Sequence, residues 1–184
     1  MHSILVVGTD PPCARCGLLA GLVEELARRR EEPFEVRHID YESGEARRIA
    51  ASLGLVPGTA KDVARAIGET IELPSNEEIA ERGRHMKLLE TDPQLMYLEE
   101  TIREVWVVDQ LLRKYELAAR DLGILMTPVL MIDNQVYHSG SVPPVEQLER
   151  WIREVAGQEP GPGNIRIRQR AYGLMEDPRS GDSL

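Results

Sequence analysis

The chain reads as an α/β protein: a mixed central sheet flanked by helices and interrupted by an inserted helical subdomain. Three observations predict this. The apolar run Ile4-Leu5-Val6-Val7 leads into an amphipathic stretch and then into Phe34-Glu35-Val36-Arg37-His38-Ile39-Asp40, whose apolar and polar residues alternate, giving strand, helix, strand. From Ser43 to Gly123 the pattern turns helical over far more residues than one crossover helix needs. Ile124 to Tyr137 then holds two apolar runs around Asp133-Asn134-Gln135, a hairpin signal, and an amphipathic segment follows.

Each element has its own signal. The first helix is expected from about Cys13 to Arg30, with Leu18, Leu19, Leu22, Val23 and Leu26 on one side. Arg28-Arg29-Arg30 suits the negative end of its dipole, and Glu31-Glu32-Pro33 stops it. A crossover of this length implies parallel strands and a right-handed connection. Short helices follow at Glu45 to Leu53, closed by Gly54, and at Lys61 to Ile67, bounded by Pro57-Gly58 and Gly68. Ser75-Asn76 marks an N-cap ahead of a charged helix from Glu77 to Leu89. Asp92-Pro93 supplies an N-cap and a proline at the first helical position of the longest helix. Its apolar stripe runs through Leu95, Leu98, Ile102, Val105, Trp106, Leu112 and Tyr115 to an end near Gly123, and Trp106-Val107-Val108 read as core rather than as groove lining.

Pro128 interrupts the next apolar run. Proline cannot donate to a sheet ladder and belongs at a strand start or edge, and an X-Pro bond is the place to expect the cis isomer. Ser139 to Pro144 is a loop, and Val145 to Val155 forms the last helix with Val145, Leu148, Trp151, Ile152 and Val155 inward. Pro160-Gly161-Pro162-Gly163 reads as a linker. Ile165 to Arg170 alternates but is basic on one face, which suits a loosely ordered tail. The alternative is an extended arm against an acidic surface of the same chain, or of a second copy in a homodimer. Residues from Glu176 on have the composition of disorder. The expected division is 1–42 and 123–156 as core, 43–122 as helical insertion, and 157–184 as C-terminal linker and tail.

Composition narrows the function classes. A net charge of −9 argues against a nucleic-acid partner, which needs a basic surface. One Phe and two Trp leave little for base stacking. The run at residues 4–7 is far too short to span a bilayer, so no membrane partner is expected. No charged n-region precedes a long apolar stretch, and a cytoplasmic location is the expectation. Two cysteines in 184 residues do not make a disulfide scaffold.

Those cysteines lie three apart, at Cys13 and Cys16, where the Gly8-Thr9-Asp10-Pro11-Pro12 break gives way to the first helix. Unpaired backbone N–H groups and the positive end of the dipole favour a thiolate at Cys13. The thiolate is the nucleophile in disulfide exchange, and Cys16, one turn on, is placed to attack a mixed disulfide on Cys13. Pro12 and Arg15 are the candidates for tuning the pKa of Cys13. The Arg15 guanidinium either lies within a few ångströms of the thiolate, which would stabilise it, or points into solvent. Two other readings of the pair stand beside the redox one: small buried core residues, or half of a zinc site, although no second pair exists and His2, His38, His85 and His138 are scattered.

The order strand, Cys-x-x-Cys helix, strand, helical region, Thr-Pro strand, hairpin strand, helix resembles the thioredoxin superfamily. Two blocks carry the resemblance, Ile4 to Asp40 and Gly123 to Val155, together under half the chain. The second contains Met126-Thr127-Pro128-Val129-Leu130-Met131-Ile132-Asp133-Asn134 with Gly140 following, which looks like the family's cis-proline strand, turn and glycine. The resemblance implies a thioredoxin-like fold in which Pro128 faces Cys13 across a groove and Thr127 offers its backbone to a bound substrate. The helical segment lies where DsbA-type oxidoreductases carry their insertion. The chain departs from plain thioredoxins at Pro12 before the first cysteine, at Ala14-Arg15 between the two, and at Val7, where thioredoxins bury an acid.

The expected activity is thiol–disulfide oxidoreduction, with Cys13 as nucleophile and Cys16 as resolving thiol. Its partners are a protein or small-molecule disulfide or dithiol and an upstream thiol reductant, and no cofactor or metal is required. A non-catalytic binding module with a redox-sensing disulfide is the alternative.

Overall fold

Seven strands and six α-helices make up the described part of the chain, residues 1–86, 92–157 and 165–167 of a computed structural model. Strand β1 (His2–Gly8) lies beside β2 (Phe34–Asp40) in parallel, joined by helix α1 (Ala14–Arg28). On the other side of β1 runs β5 (Val129–Ile132), antiparallel, and then β6 (Gln135–Ser139), antiparallel to β5. Asp133 and Asn134 turn the β5–β6 hairpin with φ of 45° and 62°, the left-handed values that a two-residue turn needs and that Asp and Asn tolerate. The sheet order is β2-β1-β5-β6-β7, where β7 is Arg166–Ile167, parallel to β6.

The core follows from strand alternation. Ile4 and Val6 of β1 and Leu130 and Ile132 of β5 face α1, packing with Leu18, Leu19, Leu22 and Leu26, and with Leu148 and Ile152 of α6 (Val145–Ala156). Val7, Val129 and Met131 face the other way, onto Ala46, Ile49 and Ala50 of α2 (Gly44–Ser52). Helix α5 (Glu99–Ala119) joins the first layer through Ile102 and Val105. Its C-terminal half packs on α3 (Ala60–Ala66) and β4 (Ile124–Met126) through Leu112, Tyr115 and Ala119. Trp106 packs against the first cluster, Val108 against the third, and Val107 is buried.

Several elements differ from expectation. The stretch expected to be helical from 43 to 122 contains a strand, β3 (Val56–Gly58), parallel to β4. Three residues with Pro57 at the centre show no alternation, and tertiary pairing makes the strand: Val56 N–H donates to Gly123 O and Thr127 N–H to Gly58 O, each at 2.9 Å. Helix α4 (Asn76–Arg84) ends before Leu89; residues 87–89 lie outside the described part. The segment after Asp92 opens as a 3₁₀ helix, Pro93–Leu98, before α5 begins, a frequent form at a helix start. Arg166 and Ile167, expected in a loose tail, pair with β6, and Ile165 and Ile167 pack against the α2-facing cluster. The expected linker at 160–163 and the end of the chain lie outside the described residues.

Pro128 separates β4 from β5, and the register pairs Val129 with Val7, carrying Thr127-Pro128 to the end of the sheet where β1 hands over to the loop before Cys13. The Thr127–Pro128 bond is cis, as is Asp10–Pro11 in the facing loop. Among the described residues no helix is long and apolar enough to cross a membrane.

Leu19 is fully buried between α1 and the sheet. Its replacement by alanine is expected to cost about 2–5 kcal/mol, read as a lower urea midpoint at unchanged slope. A loss below about 1 kcal/mol would mean that α1 does not pack as described.

Candidate active site

Cys13 is the N-cap of α1, with an extended backbone (φ −69°, ψ 166°), and its sulfur accepts from the Cys16 N–H at 3.4 Å. The capping position normally goes to an oxygen side chain; here a sulfur occupies it. The Cys13 N–H donates to Thr9 Oγ1 at 2.9 Å, fixing the loop against the helix start. Cys13 is exposed and Cys16 buried, both are free thiols, and their sulfurs stand 3.1 Å apart.

This geometry splits the two acidities. The hydrogen bond from the Cys16 thiol, with the Cys16 backbone N–H, the Thr9 hydroxyl and the Arg15 backbone N–H behind it, outweighs desolvation and brings Cys13 down to about 5. Cys16 moves the other way: its bond to Cys13, burial and the neighbouring negative charge all raise it. At neutral pH the pair is therefore an exposed thiolate backed by a buried thiol.

The Arg15 charge is not among the leading causes of the Cys13 shift. Its side chain does not point into solvent. The side chain turns inward, is 9% exposed, and donates through Nε to Asp109 Oδ1 at 2.6 Å, through Nη1 to Thr127 O at 3.5 Å, and through Nη2 to Gly140 O. What it brings to the Cys13 shift among the leading causes is its backbone N–H. Pro12 is exposed and is not among the groups that shift Cys13. The acidity of Cys13 comes from hydrogen bonds, and the guanidinium is a clamp.

Thr127 is buried, and its N–H is already given to Gly58 O. What remains for a substrate is the second lone pair of its carbonyl, less than the free backbone expected. Pro128 O accepts from Gly140 N–H at 2.9 Å. Gly140 has φ +98°, and a Cβ there would lie 2.7 Å from Glu116 Cγ, so both conformation and space require glycine.

Behind the clamp lies a buried polar cluster. Asp109 Oδ2 accepts from Val142 N–H at 2.8 Å, and burial pushes its carboxyl up to about 6 despite Arg15. Glu116 Oε1 accepts from the Ser141 hydroxyl at 3.1 Å, and Ser141 Oγ meets His138 Nε2 at 2.7 Å. Burial brings His138 down to about 4, so its ring is neutral at pH 7. Among the described residues no group of three or more His, Cys, Asp or Glu is gathered as a metal site.

A family model described as a thioredoxin domain matches residues 104–153, just over a quarter of the chain. The match supports a thioredoxin superfamily assignment. No curated protein and no solved structure matches it. The matched stretch of this thioredoxin-like chain holds most of α5, Thr127-Pro128, the β5–β6 hairpin and most of α6; Cys13 and Cys16 lie outside it.

Thr9, Asp109 and Gly140 O were not expected in the site. Asp109 had a signal: it falls on the apolar stripe of α5, between Val105 and Leu112, where a charge calls for a buried partner. Thr9 and the Gly140 carbonyl had none.

Two outcomes follow from this geometry. Alkylation of Cys13 by iodoacetamide should titrate with a midpoint of about 5 while Cys16 stays protected; a midpoint near 8.5, the free-thiol value, would contradict the hydrogen-bonded thiolate. Arg15→Met leaves Asp109 buried without its cation and should cost about 3–5 kcal/mol in urea denaturation. The Cys13 midpoint in that variant should stay at about 5, because the guanidinium is directed elsewhere.

Proposed function

We propose that the protein is a thiol–disulfide oxidoreductase acting on protein or small-molecule disulfides and dithiols. The observation that carries this reading is the asymmetry of the pair: an exposed thiolate at a helix N-terminus with a buried thiol 3.1 Å behind it. Two inert core thiols would both be buried and protonated.

The steps follow from the two positions. The Cys13 thiolate attacks one sulfur of a substrate disulfide, that S–S bond breaks, and half of the substrate leaves as a thiolate. Cys16, having lost its proton, attacks Cys13 Sγ, the mixed disulfide breaks, and the second half leaves. Two electrons pass from the Cys13–Cys16 pair to the substrate, and an upstream thiol reductant restores the dithiol. Run backward, the same steps oxidise a dithiol. The protein's own sulfurs carry the electrons, so this chemistry needs no bound cofactor.

The low pKa of Cys13 bears on direction. A stabilised thiolate favours the reduced form and so makes the pair the better oxidant. In a cytoplasmic setting, where a thiol reductant keeps the pair reduced, this suits exchange of substrate disulfides, with Cys13 attacking and being displaced in turn.

Cys13→Ser should abolish insulin-disulfide reduction with dithiothreitol as electron source, and Cys16→Ser should accumulate a Cys13 mixed disulfide visible by mass. Activity surviving in Cys13→Ser, or no adduct on Cys16→Ser with any disulfide offered, would sink the reading.

A further inference from the structure

Cys16 must lose a proton before it can attack, yet its burial, which raises its pKa, holds that proton in place. One unpartnered polar atom lies beside it. His38 Nε2, in β2, is buried and has no hydrogen-bond partner. A Cβ on Gly8 would lie 2.7 Å from Cys16 Sγ and 2.9 Å from His38 Nε2, so the two atoms flank one point and are at most about 5.6 Å apart. Glycine at position 8 leaves open the space over which they meet.

The placement follows from register. His38 pairs with Val6, and with Phe34 and Val36 it faces the α1 layer, whereas Ile39 faces the α2 layer. Val6 and Gly8 bring no charge to this face. Asp40 follows two residues on in β2 along the same face; Arg37, on the opposite one, pairs with Glu45. From the α1 side Cys16 is the titratable group that borders the same point. An orphaned buried ring nitrogen is costly, and here it borders the one thiol that must ionise.

We infer that His38 is the proton acceptor for Cys16 in the resolving step. The inference rests on the oxidoreductase reading. With its own proton on Nδ1, the imidazole presents a lone pair at Nε2, and a small ring movement or one water closes the gap to Sγ. The Cys16 S–H bond breaks and its proton passes to Nε2. The sulfur's electron pair attacks Cys13 Sγ, the bond from Cys13 to the substrate sulfur breaks, and the substrate half leaves as a thiolate, which takes the proton from the imidazolium.

The test separates the two steps with 5,5′-dithiobis(2-nitrobenzoate). One equivalent added to the dithiol form releases a first thionitrobenzoate when Cys13 attacks and a second when Cys16 resolves. In the wild-type protein the second rate should rise less steeply with pH than in a variant without the imidazole. In His38→Gln the second phase at pH 7 should slow by about a hundredfold, within the usual range for a positioned proton acceptor. Its rate should then climb about tenfold per pH unit, as an unassisted thiol requires. The first phase should be unchanged, His38→Asp should recover part of the loss, and Asp40→Asn should behave as wild type. Equal slowing of both phases, an undiminished second phase, or a deficit carried by Asp40→Asn would overturn the assignment. Should His38→Gln fail to fold, a wild-type second phase that climbs the full tenfold per pH unit of an unassisted thiol would overturn it alone. No first phase in wild type would instead overturn the oxidoreductase reading itself.

Discussion

One buried guanidinium determines where the pieces of the site stand. Arg15 leaves the first turn of α1 and reaches Asp109 on α5, the Thr127 carbonyl before the cis bond, and the Gly140 carbonyl after β6. Those anchors belong to segments up to 125 residues away in sequence. A planar fork with five donors can bind three acceptors in fixed directions, which lysine cannot do. The same turn carries Cys16, so the clamp that positions the Thr-Pro segment also holds the helix start that bears the sulfurs.

With that guanidinium charge committed inward, the thiolate is stabilised chiefly by hydrogen bonds. Cys13 sits at the cap, where the first N–H groups of α1 have no partner within the helix. The Cys16 N–H, the Thr9 hydroxyl and above all the Cys16 thiol point at its sulfur. Such a thiolate is tuned by the backbone path of residues 9–16, which makes the loop conformation and the acidity of Cys13 one property. The helix dipole adds to this in the same direction.

Much of this was legible in the chain. The strands at 34–40 and 129–139, the hairpin turn at Asp133-Asn134 and the apolar side of α1 follow from periodicity, because burial on one face dictates which positions are apolar. The Cys-x-x-Cys placement at a helix start was also readable, since Gly8 to Pro12 breaks the strand. The orientation of Arg15 was not. A side chain beside a cysteine can turn either way, and the choice was made by Asp109, 94 residues on. Strand β3 was hidden for a similar reason: Val56-Pro57-Gly58 has no pattern of its own and becomes a strand through its pairing with β4. His38 read as an ordinary polar position in an alternating strand, and nothing in the sequence says that its neighbour is Gly8.

The clamp also changes how the long segment between β2 and β4 is to be understood. Expected as a helical insertion, it contributes Asp109 to the clamp and packs Glu116 against Gly140. Burying the Arg15–Asp109 pair carries a desolvation cost, visible in the Asp109 carboxyl pushed up to about 6, and a buried pair of this kind is a poor source of net stability. What it provides is position: α1 and α5 cannot shift against each other without stranding a charge. The sulfurs and the Thr127-Pro128 segment therefore keep their relation only while α5 is docked, and the segment that looks inserted in sequence is part of the scaffold of the site.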